Sequence, residues 1–126
     1  MKFFVYGTLK SGYGNNRILQ AGAAQLLGVA ESLSDYLLIN MGCPGAILQP
    51  VEGAPVRGEL YEVDNEETVQ RLDRLEGNGR FYTRYERQFT TEDGATHTAW
   101  IYELPKSYQD FGKTICPIIG GCYEWN

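Results

Sequence analysis

A chain of 126 residues with 43% apolar and 13% aromatic side chains carries enough hydrocarbon to bury one core. That excludes a disordered chain and predicts a single domain over residues 1–126. Eleven basic against 16 acidic residues give a net charge of −5 with no cluster of Lys or Arg, so nucleic acid is not an expected partner, and an anionic ligand must be met by local groups.

Cys43, Cys116 and Cys122 form no CxxC pair, and His97 is the single histidine, so no metal set is expected and the odd cysteine count points to a reducing compartment. The apolar start Met1-Lys2-Phe3-Phe4-Val5-Tyr6 is too short for a signal peptide, and no stretch approaches the ~20 apolar residues that span a bilayer. The expectation is a soluble cytoplasmic protein without membrane contact. No long exposed apolar stripe demands a second copy, so a monomer is expected.

The first element, Phe3-Phe4-Val5-Tyr6-Gly7-Thr8-Leu9, reads as a buried strand that stops at a glycine. Gly7 lets the backbone turn or approach a ligand, and the N–H groups leaving the strand can converge on an anion. The same pattern also describes an ordinary strand end.

Asn16 is the expected cap of a short helix over residues 17–21, with Gly22 as its stop. Strands are predicted over residues 25–32, 36–40, 46–49 and 56–63, with Gly58 marking a bend or close backbone approach. Residues 64–76 form the clearest helix, with Asp64 as N-cap paired with Glu67, and Gly77 to Gly79 end it in a left-handed cap. Residues 82–90 and 96–103 are strands joined by the hairpin signal Asp93-Gly94, and from Pro105 the chain is irregular. Strands outnumber helices, which predicts an α+β fold: a twisted sheet or small mixed β-barrel flanked by short helices.

Glu76 follows Leu72 by four positions and Val69 by seven, so the helix aims its carboxyl at the face those residues bury. It also sits in the last turn, at the negative end of the helix dipole. Both effects penalise the anion and predict a raised pKa, suited to general acid/base work. The alternative is a frayed end, or a pair with Arg74, Arg80 or Arg84. Tyr82 and Arg84, two apart on a strand, share a side and together with Glu76 are candidates to line one pocket. A core aromatic and a surface ion pair are their plainer readings.

Three pieces, Val5-Tyr6-Gly7-Thr8-Leu9, Gly58-Glu59-Leu60-Tyr61-Glu62-Val63 and Leu72-Asp73-Arg74-Leu75-Glu76-Gly77, stand in an order that resembles the gamma-glutamylcyclotransferase-like family, in particular its gamma-glutamylamine cyclotransferase branch. Gly42-Cys43-Pro44-Gly45, Tyr82-Thr83-Arg84, Ala99-Trp100-Ile101-Tyr102 and Gly121-Cys122-Tyr123-Glu124-Trp125 extend the resemblance over nearly the whole chain. It implies a small mixed barrel with flanking helices, and a cofactor-independent reaction in which a γ-glutamyl unit closes on itself and leaves as 5-oxoproline, freeing the attached amine.

By resemblance, Glu76 is the acid/base and Tyr6-Gly7-Thr8-Leu9 the substrate cradle. Tyr82 and Tyr102 are implied as pocket walls, each with core packing as the alternative. Arg84 would neutralise an α-carboxylate or pair with Glu76. The implied partner is a small γ-glutamyl compound, with a γ-glutamylamine such as a γ-glutamyl-lysine remnant ahead of a γ-glutamyl amino acid. Glutathione ranks behind both, because the relatives that degrade it resemble this chain with serine in place of Thr8. Two other readings stay open: a non-catalytic module that binds a small acidic metabolite, and a biosynthetic cyclotransferase that removes a γ-glutamyl protecting group.

Overall fold

In the computed structural model, which describes residues 1–109 and 114–126, the strands close a barrel whose seam lies next to the first strand. The elements in chain order are β1 (Lys2–Val5), α1 (Asn16–Ala21), β2 (Gln25–Ser32), β3 (Tyr36–Asn40), β4 (Pro44–Leu48), β5 (Arg57–Glu62), α2 (Glu66–Glu76), β6 (Thr83–Thr91) and β7 (Thr96–Glu103). A 3₁₀ turn (Lys106–Tyr108) and the short strands β8 (Thr114–Ile115), β9 (Ile118–Ile119) and β10 (Cys122–Tyr123) complete it. The barrel order is β1-β5-β2-β6-β7, closed by the parallel contact of Phe3 with Trp100. Beside it lie the three-stranded sheet β4-β3-β8 and the pair β10-β9.

Alternation along β1 explains its central place. Phe3 and Val5 point to a cluster shared with Leu19, Val69 and Leu72 of the two helices, whereas Phe4 points to the other cluster, with Leu60, Phe89 and Ile101. The Phe4 and Phe89 rings stack at 4.2 Å. Each such side chain, removed from water, contributes about 1.5–3 kcal/mol. The close approach expected at Gly58 is to β1 itself, since a Cβ there would stand 2.4 Å from the Val5 carbonyl oxygen.

Several element ends differ from the sequence reading. Asn65, not Asp64, caps α2 by accepting from the Glu67 N–H at 2.9 Å. Val63 is still bonded to the first residue of the chain, through its N–H to the Met1 carbonyl, so the backbone stays extended one residue longer. Asn16 is the first helical residue of α1 and makes no cap: it is buried, and its amide donates to the Leu9 carbonyl (2.7 Å) and the Tyr61 hydroxyl (3.1 Å). β4 begins at Pro44, because Pro44 pairs with Asn40 of β3. Tyr82 lies just before β6. Gly77 adopts the left-handed cap (φ 61°), and Gly94 turns the β6–β7 hairpin with φ 85°. Part of the irregular segment expected after Pro105, residues 110–113, lies outside the described residues. Among the described residues no helix is long and apolar enough to cross a membrane.

Candidate active site

The end of β1, the last turn of α2 and the approach to β4 enclose a cavity of about 260 Å³. The loop Gly7-Thr8-Leu9, Glu76, Tyr82 and Tyr102 all line it. Among the described residues lining it, Glu76 is the only one with an ionisable carboxyl, and no Lys, Arg or His joins it.

The loop is held from outside the cavity. The Gly7 carbonyl accepts from the Lys10 N–H (3.0 Å), Glu59 takes the Ser11 N–H (2.7 Å), and buried Asn16 holds the Leu9 carbonyl. A Cβ on residue 7 would stand 2.7 Å from Pro44 Cγ, so the contact of the loop with Pro44 requires glycine there. The N–H groups of Gly7, Thr8 and Leu9 donate to no described group, which leaves three backbone donors beside the cavity. The Thr8 hydroxyl accepts from the Asn15 side chain at 2.8 Å.

Glu76 is the final residue of α2 and half-buried; its carboxyl makes no hydrogen bond or ion pair with any described residue. Burial pushes its pKa up to about 7. The backbone around it is closed by the chain reversal, with the Glu76 carbonyl accepting from the Tyr82 N–H (3.2 Å) and the Gly77 carbonyl from the Phe81 N–H (2.9 Å). The carboxyl is therefore carried by the helix end rather than by partners of its own.

The tyrosines present rings rather than free hydroxyls. Tyr6 donates to the Tyr102 carbonyl (2.7 Å) and accepts from the Ala46 N–H (3.1 Å), Tyr82 donates to the Pro44 carbonyl (2.7 Å), and Tyr102 donates to Asp73 Oδ1 (2.7 Å). Burial is the main reason all three phenols are pushed above their ordinary range, so they stay neutral.

Arg84 does not line the cavity and does not pair with Glu76. Its Nε donates to Asp73 Oδ1 at 3.0 Å, and its guanidinium lies over the Trp100 ring at 4.3 Å. Nη1 is buried with no hydrogen-bond partner among the described residues, and the aromatic face supplies the compensating attraction. Asp73 thus joins α2 to β6 through Arg84 and to β7 through Tyr102, one turn before Glu76. Asp73→Ala is expected to cost about 1–3 kcal/mol, because it strands the Arg84 and Tyr102 donors. Urea unfolding followed by fluorescence measures it, with a midpoint equal to wild type the contrary result.

Cys43, Pro44, Asn15, Leu75 and Phe81 also line the cavity. Of these, Cys43 and Pro44 belong to the Gly42–Gly45 segment that carries part of the family resemblance. Leu75 and Phe81 adjoin Glu76 and Tyr82 in the chain, which was the available signal. Among the described residues no three His, Cys, Asp or Glu side chains converge as a metal set.

One cavity of this barrel is thus lined both by backbone amides that donate to no described group and by a carboxyl with a raised pKa and no partner among the described residues. The chain belongs to the gamma-glutamyl cyclotransferase, AIG2-like family, whose model matches residues 3–124, and it is an enzyme of that family. It is 41% identical over 87 residues to the gamma-glutamylaminecyclotransferase of Bos taurus, a match covering 64% of this chain and 51% of the relative. It is 40% identical over 106 residues to the gamma-L-glutamyl-butirosin B gamma-glutamyl cyclotransferase of Niallia circulans, covering 79% and 64%. Its fold superposes on the crystal structure of an AIG2-like protein from Mus musculus with a TM-score of 0.72 at 29% identity, covering 81% of this chain and 75% of that one.

Proposed function

We propose that this enzyme releases 5-oxoproline from γ-glutamylamines, with Glu76 as the sole acid/base. The observation that carries the proposal is the Glu76 carboxyl, with its pKa near 7 and no partner among the described residues, lining the same cavity as the Gly7, Thr8 and Leu9 amides that donate to no described group.

The amides and the narrow walls formed by Tyr82 and Tyr102 hold the glutamyl chain curled, so that its α-nitrogen lies against its own γ-carbonyl carbon. That positioning supplies much of the rate gain. Glu76 takes one proton from the α-ammonium, and the freed nitrogen attacks the carbonyl carbon to form the ring C–N bond. Backbone N–H groups of the loop stabilise the oxygen as it gains charge. The bond to the leaving nitrogen then breaks as Glu76 returns its proton there. Glu76, a carboxylate again, takes the second proton from the ring nitrogen and passes it to the departing amine, so the products are 5-oxoproline and an ammonium, with no water consumed.

Two features favour a γ-glutamylamine over a γ-glutamyl amino acid. With Arg84 committed to Asp73, the described cavity wall holds no cation for a second carboxylate. The bovine relative, moreover, carries the name of a γ-glutamylamine enzyme. The name of the Niallia relative supports a second reading, in which the amine is part of a larger metabolite and the γ-glutamyl group a protecting group removed by the same chemistry.

The test is 5-oxoproline release, followed by mass spectrometry, from γ-glutamylamines, γ-glutamyl dipeptides and glutathione. Because the reactive form of Glu76 is the carboxylate, kcat/KM is expected to climb about tenfold per pH unit below about 7 and to level above it. Binding of 5-oxoproline with no turnover of any compound would instead identify a non-catalytic module. A profile flat from pH 5 to 8 would remove Glu76 as the base.

A further inference from the structure

Glu76 shares the cavity lining with two large apolar side chains that remain partly open to solvent, Leu75 (42% exposed) and Phe81 (37% exposed). Neither is placed at random. Leu75 precedes the acid on α2, and Phe81 is fixed by its N–H to the Gly77 carbonyl and by edge-to-face contacts with Tyr82 (4.8 Å between ring centres) and Tyr108 (5.4 Å). Phe81 is therefore held by these contacts while it lines the cavity and keeps part of its surface exposed. Pro44 adds to the apolar lining.

The direction of the leaving group follows from the cyclotransferase reading, on which this inference rests. The scissile nitrogen must come within hydrogen-bond reach of Glu76 to receive its proton. With the glutamyl end against Gly7, Thr8 and Leu9, the partly exposed lining residues available near Glu76 to the substituent on that nitrogen are Leu75, its neighbour in α2, and Phe81, whose N–H bonds the Gly77 carbonyl. A charged tail there would lose hydration against hydrocarbon without gaining a partner, whereas an aryl group would cover two exposed apolar side chains and offer a ring to Phe81.

We propose that Leu75 and Phe81 form a leaving-group subsite that selects γ-glutamyl amides of arylalkyl amines over those of small alkyl amines and of amino acids. The step stays as balanced above: the γ-carbonyl–nitrogen bond breaks, the ring bond forms, and the arylalkyl amine departs as its ammonium.

The experiment compares kcat/KM for γ-glutamylbenzylamide, γ-glutamylmethylamide and γ-glutamylglycine, each divided by its rate of uncatalysed cyclisation to remove leaving-group basicity. Wild type is expected to favour the benzylamide by about tenfold or more over each of the others, the scale on which an apolar pocket discriminates. Phe81→Ser and, independently, Leu75→Ser should lower the benzylamide value several-fold more than the methylamide value. Equal treatment of the benzylamide and methylamide by wild type would overturn the subsite, and so would variants that reduce both amides alike. Failure of wild type to release 5-oxoproline from any of the three would overturn the cyclotransferase reading beneath it, a result distinct from turnover without preference.

Discussion

Replacing Glu76 by Gln is expected to lower kcat by about 10²- to 10⁴-fold, the usual contribution of a positioned acid/base, with the fold intact. It is also expected to stabilise the protein above neutral pH. The folded-state pKa of about 7 lies above the ordinary value of 4.5, so between those limits the native state binds more protons than the unfolded chain. Stability therefore falls as pH rises from 4.5 to 7, and ionising the buried carboxyl at pH 8 costs the wild type about 1–3 kcal/mol. Glutamine removes that penalty. Unfolding in urea at pH 8 should show the variant the more stable of the two, and at pH 4, where both side chains are neutral, the difference should disappear. A variant equally stable at both pH values would mean that Glu76 is solvated, and retained turnover would take the acid/base role away from it.

The second large effect is at Arg87. Glu103, at the end of β7, is only 4% exposed and takes three donors: Arg87 Nε (2.9 Å) and Nη2 (3.1 Å), and the hydroxyl of Tyr36 (2.6 Å). This carboxylate fastens the three-stranded sheet, through β3, to the barrel. Arg87→Ala leaves a buried anion with a single hydroxyl donor, a change expected to cost about 3–5 kcal/mol. The double variant Arg87→Ala with Glu103→Gln should regain at least half of that loss, because no unpaired charge remains inside. Chemical denaturation of the three proteins checks this. A single-variant loss under about 1 kcal/mol would show that water enters and replaces the guanidinium.

What the sequence carries by itself is periodicity and punctuation. β2 and β3 have the bounds that the strand reading of residues 25–32 and 36–40 predicts, and α2 ends at Glu76 before a left-handed Gly77. Periods of 2 and 3.6 depend only on local backbone geometry, so the face of α2 that carries Val69 and Leu72 was legible, and with it the direction of the Glu76 carboxyl. The order of short motifs from Tyr6 to Trp125 likewise pointed to the family without any contact being known.

Closure of the barrel decided the rest. Tyr6 and Tyr102 are 96 residues apart in the chain and Tyr102 and Asp73 are 29 apart, so the partners that occupy their hydroxyls exist only once β1 meets β7 and α2 packs across them. The same closure sends Arg84 to Asp73 and the face of Trp100 instead of the cavity, although strand spacing alone placed it on the side of Tyr82. It turns Asn16 from an expected helix cap into a brace for the Leu9 carbonyl, and it gives Glu76 no counter-charge among the described residues. A residue's own chemistry and its face are local properties of the chain. Its partners, and hence whether a carboxyl titrates near 4.5 or near 7, are set by which distant groups the tertiary structure brings within a few ångströms and which it keeps away.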